Sequence, residues 1–381
     1  MIKSIKKILR MLLLTIIGAV LLVTILVILF VNLSPEFGGK ATDEDLKKYN
    51  QSAQFTDGLF KNSIPTTMDM DAKTMFGTMM DFIKGVPNSR PDFKLPVIPA
   101  DSTEIVENAA QTKIMWFGHS AFLLQVDGKT ILIDPMLGDV PAPHPLLGKK
   151  RYADSLPIAI EKLPVIDAII ISHDHYDHLD YGSIQKLMGK TNRFYVPLGV
   201  KAHFIAWGVP DKKIEELDWW DETSLGSIKL AFTPSRHFSG RGLTNRFSTL
   251  WGSWVITGED DNIYFSGDGG YGPHFKEIGE KYGPFDFAMM ECGQYNKNWK
   301  DIHMMPEETA QAAVDVQAKL MMPIHWGAFT LALHSWTDPI ERVQKKATEL
   351  RMPLIAPKIG EQVILDSTIE NYVQENWWVN Q

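Results

Sequence analysis

Apolar positions fall into three regimes along this chain, and each predicts a different kind of structure. Residues Met11 to Val31 are uncharged and almost wholly apolar, broken only by Thr15, Gly18 and Thr24. At ~1.5 Å per residue such a run crosses a ~30 Å hydrocarbon layer, so one transmembrane helix is predicted. From Asn32 to about Ala100 there are few β-like runs and several prolines around the methionine-rich stretch Met68 to Met80. Met75, Phe76, Met79, Phe82 and Ile83 recur there at spacings of three and four, which predicts a short helix with one apolar face. That face is expected to pack on a core. The alternative is that adaptable methionines line a groove for acyl chains or touch a bilayer.

At Lys113 the pattern changes to short apolar runs. Ile114–Phe117, Ala121–Val126 and Thr130–Ile133 read as successive strands, with the hairpin signal Asp127-Gly128 between the last two. Further strands are predicted at Ala168–Ile171, Phe194–Val196, Ile228–Phe232, Trp254–Thr257, Ile263–Phe265, Phe287–Met290 and Met321–Ile324. Helices are predicted from Pro306, which is followed by Glu307 and Glu308, and from Thr337-Asp338-Pro339. Proline and acidic residues in a first turn suit a helix start. Hairpins followed by strands mixed with helices predict sheets covered on their outer faces by helices. The chain then divides into an N-terminal tail and anchor (1–31), a linker with an irregular, partly helical layer (32–112) and a main domain (113–381).

Charge adds an orientation. Lys3, Lys6, Lys7 and Arg10 precede the apolar run, whereas Lys40, Lys47 and Lys48 beyond it are interleaved with Glu36, Asp43, Glu44 and Asp45. The positive-inside tendency predicts a cytoplasmic N-terminus and an extracytoplasmic body. A cleaved signal peptide is the competing reading, but the run exceeds a usual h-region and Val31–Pro35 lacks a small-x-small site. A formal charge of −8 argues against a phosphate-tracking surface, so no nucleic-acid partner is expected. The single cysteine, Cys292, excludes an intrachain disulfide framework and a thiolate-rich zinc site.

The chemistry concentrates after Ile171, where Ser172-His173-Asp174-His175-Tyr176-Asp177-His178 places three imidazoles and two carboxylates on a loop behind an apolar strand. His173 and His175 can share one ion, leaving Asp177 and His178 for a second. Nitrogen and oxygen donors suit zinc, and iron or manganese would also accept them. Three later strand ends carry what this loop lacks. His237 would complete a three-histidine set, Asp268 follows a glycine and suits bridging two cations, and His325 can join Asp177 and His178.

With these positions the chain resembles the metallo-β-lactamase superfamily, whose signature is a His-x-His-x-Asp-His loop followed by a His, a bridging Asp and a last His. The resemblance implies an α/β fold, a four-layered α/β/β/α sandwich with two metals at one edge. It assigns His173, His175 and His237 to one zinc, Asp177, His178 and His325 to the other, Asp268 to both, and Asp134 to a carboxylate that orients a ligand. Trp116–Ser120, Leu250–Trp254, Phe265–Tyr271, His303–Glu308 and His325–Gly327 are similar to blocks of the N-acylphosphatidylethanolamine-hydrolysing phospholipase D family. That implies a phospholipid substrate, cleaved to phosphatidic acid and an N-acylethanolamine.

Two cations lowering the pKa of a shared water make hydrolysis the natural reaction. His303 is a candidate to hold the phosphate or protonate the leaving oxygen. His119, in a turn between strands, is expected to make a structural hydrogen bond, and Tyr271, Glu291 and Gln294 are candidates to line the site. Trp219-Trp220 and Trp377-Trp378 are expected as packing residues rather than interfacial anchors. The competing activity is a lactonase or other carbonyl hydrolase on the same metals. A nuclease is disfavoured by the acidic balance, and a non-enzymatic module by a ligand set that leaves coordination positions open. Oligomeric state is not legible.

Overall fold

Two mixed sheets carry the chain from Lys113 onward. The structure is a computed structural model that describes residues 2–68, 71–107, 111–366, 372 and 374–379, so Asp69 and Met70 of the methionine-rich stretch lie outside it. The first sheet has seven strands, in the spatial order Gln362–Ile364, Lys113–Trp116, Phe122–Val126, Lys129–Ile133, Ile166–Ile170, Thr191–Pro197 and Ile214–Leu217. The second has six, in the order Met321–Ile324, Phe287–Glu291, Asn262–Phe265, Ser253–Thr257, Ile228–Thr233 and Glu222–Leu225. Asp127 and Gly128 turn the hairpin at φ 47° and 71°, as a primed turn requires.

Alternate residues of one strand serve two cores. Ile131, Ile133, Ala168 and Ile170 face the second sheet, where Phe122 meets Phe265 at 6.3 Å, whereas Leu132, Ile169 and Ile171 join the core beneath the helices Tyr181–Leu187 and Lys201–Ala206. Burial on both faces explains why these strands read as unbroken apolar runs. Phe275, Ile278, Ala310, Ala313, Ile340 and Val343, from helices His274–Tyr282, Pro306–Asp315 and Asp338–Leu350, cover the far side of the second sheet. The layers are therefore α/β/β/α. In these two sheets the three strands with no sequence signal, Ile214–Leu217, Glu222–Leu225 and Gln362–Ile364, are all edge strands, which need no continuous apolar run; the short hairpin Phe55–Thr56 and Leu59–Phe60 is also unpredicted.

Helix α1 spans Ile2–Leu33, starting nine residues before the predicted run because lysines and arginine continue a helix as well as leucine does. Its 31 residues from Lys3 are long and apolar enough to cross a membrane. The chain then turns tightly onto the main domain. Trp207 Nε1 donates to the Pro35 carbonyl at 2.7 Å, Arg241 Nε to the Glu36 carbonyl at 2.9 Å, and the Gly39 N–H to His203 Nδ1 at 3.1 Å. A Cβ on Gly38 or Gly39 would lie 2.1 Å from the His203 ring or the Ala202 carbonyl, so only glycine allows this approach.

Helix α2 (Asp43–Tyr49) starts with a capping box between Thr42 and Asp45. Tyr49, Phe55 and Phe60 behind it enter the main core. Helix α3 (Ala72–Lys84) begins where Asp71 accepts from the Thr74 N–H at 2.7 Å. Its apolar face corrects the packing expectation, because Met75, Phe76, Met79, Phe82 and Ile83 are 47–70 % exposed. The helix docks instead through buried Thr78, whose hydroxyl accepts from Asn298 at 3.2 Å. Both sheets are already covered by their own helices, which leaves this face no apolar partner among the described residues. Trp219, Trp377 and Trp378 are buried and Trp220 stacks on Tyr282, so the tryptophan pairs are packing residues.

Candidate metal centre

Six strands run in a common direction within their sheets and end at one edge. Lys129–Ile133 delivers Asp134, Ile166–Ile170 the loop 172–178, Ile228–Thr233 His237, Asn262–Phe265 Asp268, Phe287–Glu291 its own last residue, and Met321–Ile324 His325. Polar groups concentrate there because strand ends release the backbone from the ladder while the strands stay rigid. Three residues at this edge, His119, Asp134 and His325, hold φ values of 58°, 40° and 66°. Non-glycine residues in this region cost energy that the surroundings must outweigh, and such positions cluster at functional sites.

The donor atoms form two groups. His173 Nε2 lies 2.9 Å from His175 Nδ1, which lies 3.2 Å from His237 Nε2. Two donors ~2.05 Å from a tetrahedral zinc would be about 3.3 Å apart, so this spacing fits one ion. The second group is His119, Asp177, His178 and His325. Asp268 lies between the groups, with carboxylate oxygens 3.1 Å from His178 Nε2, 3.0 Å from His325 Nδ1, 3.8 Å from His173 Nε2 and 3.9 Å from His237 Nε2. Despite these approaches, buried His178 Nε2 and Asp268 Oδ1 make no hydrogen bond. Buried polar atoms left in this state fit a cation that would ligate them.

Outer contacts set the tautomers. His237 Nδ1 donates to the Ile302 carbonyl at 2.8 Å and His178 Nδ1 to Asp134 Oδ2 at 2.7 Å, so both Nε2 atoms face inward. Asp134 also accepts the Ser172 N–H at 2.7 Å. His119 donates to Asp177 Oδ2 at 2.9 Å, the structural hydrogen bond expected of it, although it stands inside the second group. Burial and then neighbouring imidazoles hold His173 and His237 well below the usual histidine range, which keeps them neutral donors. Burial also opposes charge on His178, but Asp268, Asp177 and Asp134 outweigh it and raise the group well above that range.

His303 leans over the centre, its ring stacked on His325 with centroids 5.3 Å apart, and its Nδ1 is 3.0 Å from Glu291 Oε1. Glu291 is fully buried, accepts the Met304 N–H at 3.1 Å, and is pushed well above the usual carboxylate range by burial and then by Asp268. Gln294 lies beneath the site and braces the loop after His325 through the Phe329 carbonyl and the Leu331 N–H. The Tyr271 hydroxyl donates to Asp315 Oδ2 at 2.5 Å and its ring stacks on Phe275, so helix Pro306–Asp315 fixes this side chain three residues after Asp268.

Two supporting groups gave no sequence signal. Asp174, inside the histidine loop, turns inward to the Gly240 N–H at 2.7 Å and to His203 at 3.3 Å. Buried Arg241 donates to the Asp174 and Leu179 carbonyls at 2.6 and 2.7 Å and so clamps the loop from behind. Neither the spacing of the motif nor anything near Arg241 in sequence marks these partners.

Facing sheets flanked by helices, with a histidine and carboxylate cluster at their shared edge, define a metal-dependent hydrolase of the metallo-β-lactamase fold. Residues 129–326 match the family described as Beta-lactamase superfamily domain, and the chain belongs to that family. An uncharacterised protein of Mycobacterium tuberculosis is 39 % identical over 318 residues, 82 % of this chain and 84 % of that protein. N-acyl-phosphatidylethanolamine-hydrolyzing phospholipase D 1 of Caenorhabditis elegans is 33 % identical over 228 residues, 57 % of this chain and 64 % of that protein. Among solved structures, a metallo hydrolase from the archaeon Ignicoccus hospitalis has a TM-score of 0.51 at 22 % identity, covering 67 % of this chain and 99 % of its own.

Proposed function

We propose that this chain is a membrane-anchored phosphodiester hydrolase that cleaves N-acylphosphatidylethanolamine-type phospholipids to phosphatidic acid and N-acylethanolamine. The observation that carries the reading is the link between α1 and the histidine loop: Arg241 bonds the Glu36 carbonyl at the helix exit and the Asp174 carbonyl within the loop. With α1 retained as a single-pass anchor, the mouth of the site is held at the membrane surface, where a lipid is the substrate at hand. The bare apolar face of α3 and the phospholipase relative support the same substrate class. The basic N-terminal end of α1, with Lys3, Lys6, Lys7 and Arg10, lies on the cytoplasmic side and the hydrolase domain on the other.

In this reading His173, His175 and His237 hold one zinc, Asp177, His178 and His325 the second, and Asp268 both. Bound divalent cations supply a water-derived nucleophile near neutral pH and neutralise charge on a phosphoryl oxygen. The side chains do the rest. His303, oriented through Nδ1 by Glu291, contacts the phosphate and gives the Nε2 proton to the alkoxide leaving from phosphorus as the new oxygen–phosphorus bond forms. Asp134 fixes His178 in the tautomer that presents Nε2. Residues 32–112 act as the layer that shapes the lipid approach to the main domain.

Two measurements test this. Full-length protein in detergent–lipid micelles should release N-acylethanolamine and phosphatidic acid from N-acylphosphatidylethanolamine, with oxygen from labelled water entering the phosphate. Turnover of lactones alone, with no phosphodiester cleavage, would overturn the lipid reading in favour of carbonyl hydrolysis. Asp134→Asn should weaken zinc binding by ~10–100-fold, because an amide N–H would face the His178 Nδ1 proton. Titration against a competing chelator measures it, and unchanged affinity would mean that Asp134 does not orient His178 toward the metal.

A further inference from the structure

A cavity of about 550 Å³ lies between the last two turns of α1 and the loop 242–249, and none of the clustered histidines or carboxylates lines it. Its volume is in the ~300–1,000 Å³ range of small-molecule sites. Val27, Ile28 and Val31 of α1 form one wall, and Lys40 stands at the polar side. Lys40 makes no ion pair among the described residues. Leu243 closes the loop side and is 78 % exposed. On the other flank of the helix, Leu146 and Leu147 are 87 % and 64 % exposed beside His144, whose ring meets Phe30 at 6.2 Å. Exposed leucines on both sides of a helix exit are costly in water and stable in hydrocarbon.

We infer that this cavity is a seat for one phospholipid of the leaflet through which α1 leaves the membrane, separate from the metal centre. Its occupant is set by position. One wall is the end of a membrane-length helix, so the apolar side opens at the depth of acyl chains and Lys40 at the depth of headgroup phosphates. The acyl chain lies along Val27, Ile28 and Val31 beneath Leu243, and the phosphate meets Lys40. The hydrogen bonds of Pro35, Glu36 and Gly39 to Trp207, Arg241 and His203 make the seat a fixed feature rather than a gap that a loose tether would open and close.

The inference rests on α1 being a retained anchor, and its test separates the two. Full-length protein is reconstituted in phosphatidylcholine–phosphatidylglycerol vesicles carrying a trace of phosphatidylcholine with a diazirine at the acyl terminus, irradiated, and mapped by mass spectrometry of peptides. Label is expected on α1 and also on 242–249. Filling the cavity with Ile28→Trp and Val31→Trp should lower label on 242–249 by about fivefold, the factor carried by ~1 kcal/mol of lost binding, while label on the rest of α1 persists. Label on α1 with none on 242–249, or undiminished label there in the filled variant, overturns the seat and leaves the anchor standing. Protein that fails to float with vesicles overturns the anchor and the seat together.

Discussion

Asp268→Asn is expected to lose metal and activity together while the fold survives. Among the described residues, Asp268 is the one carboxylate within 4 Å of His173, His178, His237 and His325. If Asp268 holds both ions as proposed, exchanging one carboxylate oxygen for an amide nitrogen removes an anionic donor from both at once. Zinc measured by elemental analysis should fall from about two per chain to one or fewer, and turnover by more than the ~100-fold that follows loss of an outer partner. The metal-free variant should melt with the metal-free parent, because the swap preserves volume at a site whose contacts are mostly between polar groups. Treating the parent with a chelator should reproduce the loss, and zinc should restore it. Two retained zincs with full activity in the variant would end the bridging assignment.

The second large effect is at His303. His303→Ala should lower kcat by ~10²–10⁴, the range of a lost general acid, with zinc content and KM for a micellar lipid little changed. Glu291→Gln keeps a contact with His303 but replaces a group that can take up or release a proton, so it should give a smaller fall in kcat and an altered pH profile with metal content unchanged. Loss of zinc in His303→Ala would instead make this residue part of the metal shell. Unaltered turnover would return it to the surface-loop role that its isolated position in sequence suggests.

How much of this was legible differs by residue, for physical reasons. The loop 172–178 could be read because adjacent residues carry the whole signal. His237, Asp268 and His325 could be read because each follows an apolar run, and strands of one direction bring such ends to a common edge. Glu291 was only a candidate, since a carboxylate ending a buried strand looks the same whether it faces water or a histidine. Tyr271 too was only a candidate, because its partner Asp315 comes from a helix whose approach to that loop no local pattern encodes. The apolar face of α3 was assigned to a core because periodicity shows that a face exists but not what it meets.

The sequence by itself determined the strand runs buried on two sides, the membrane-length helix, and the set of imidazoles and carboxylates at strand ends, because each is written in neighbouring residues by period, length or spacing. Tertiary structure alone decided the pairing of edge strands, the inward turn of Asp174, the Arg241 clamp between helix exit and histidine loop, and the cavity under Leu243. Those depend on groups far apart in the chain approaching one another closely. Such an approach is fixed by the packing of whole layers, and no stretch of a few residues records it.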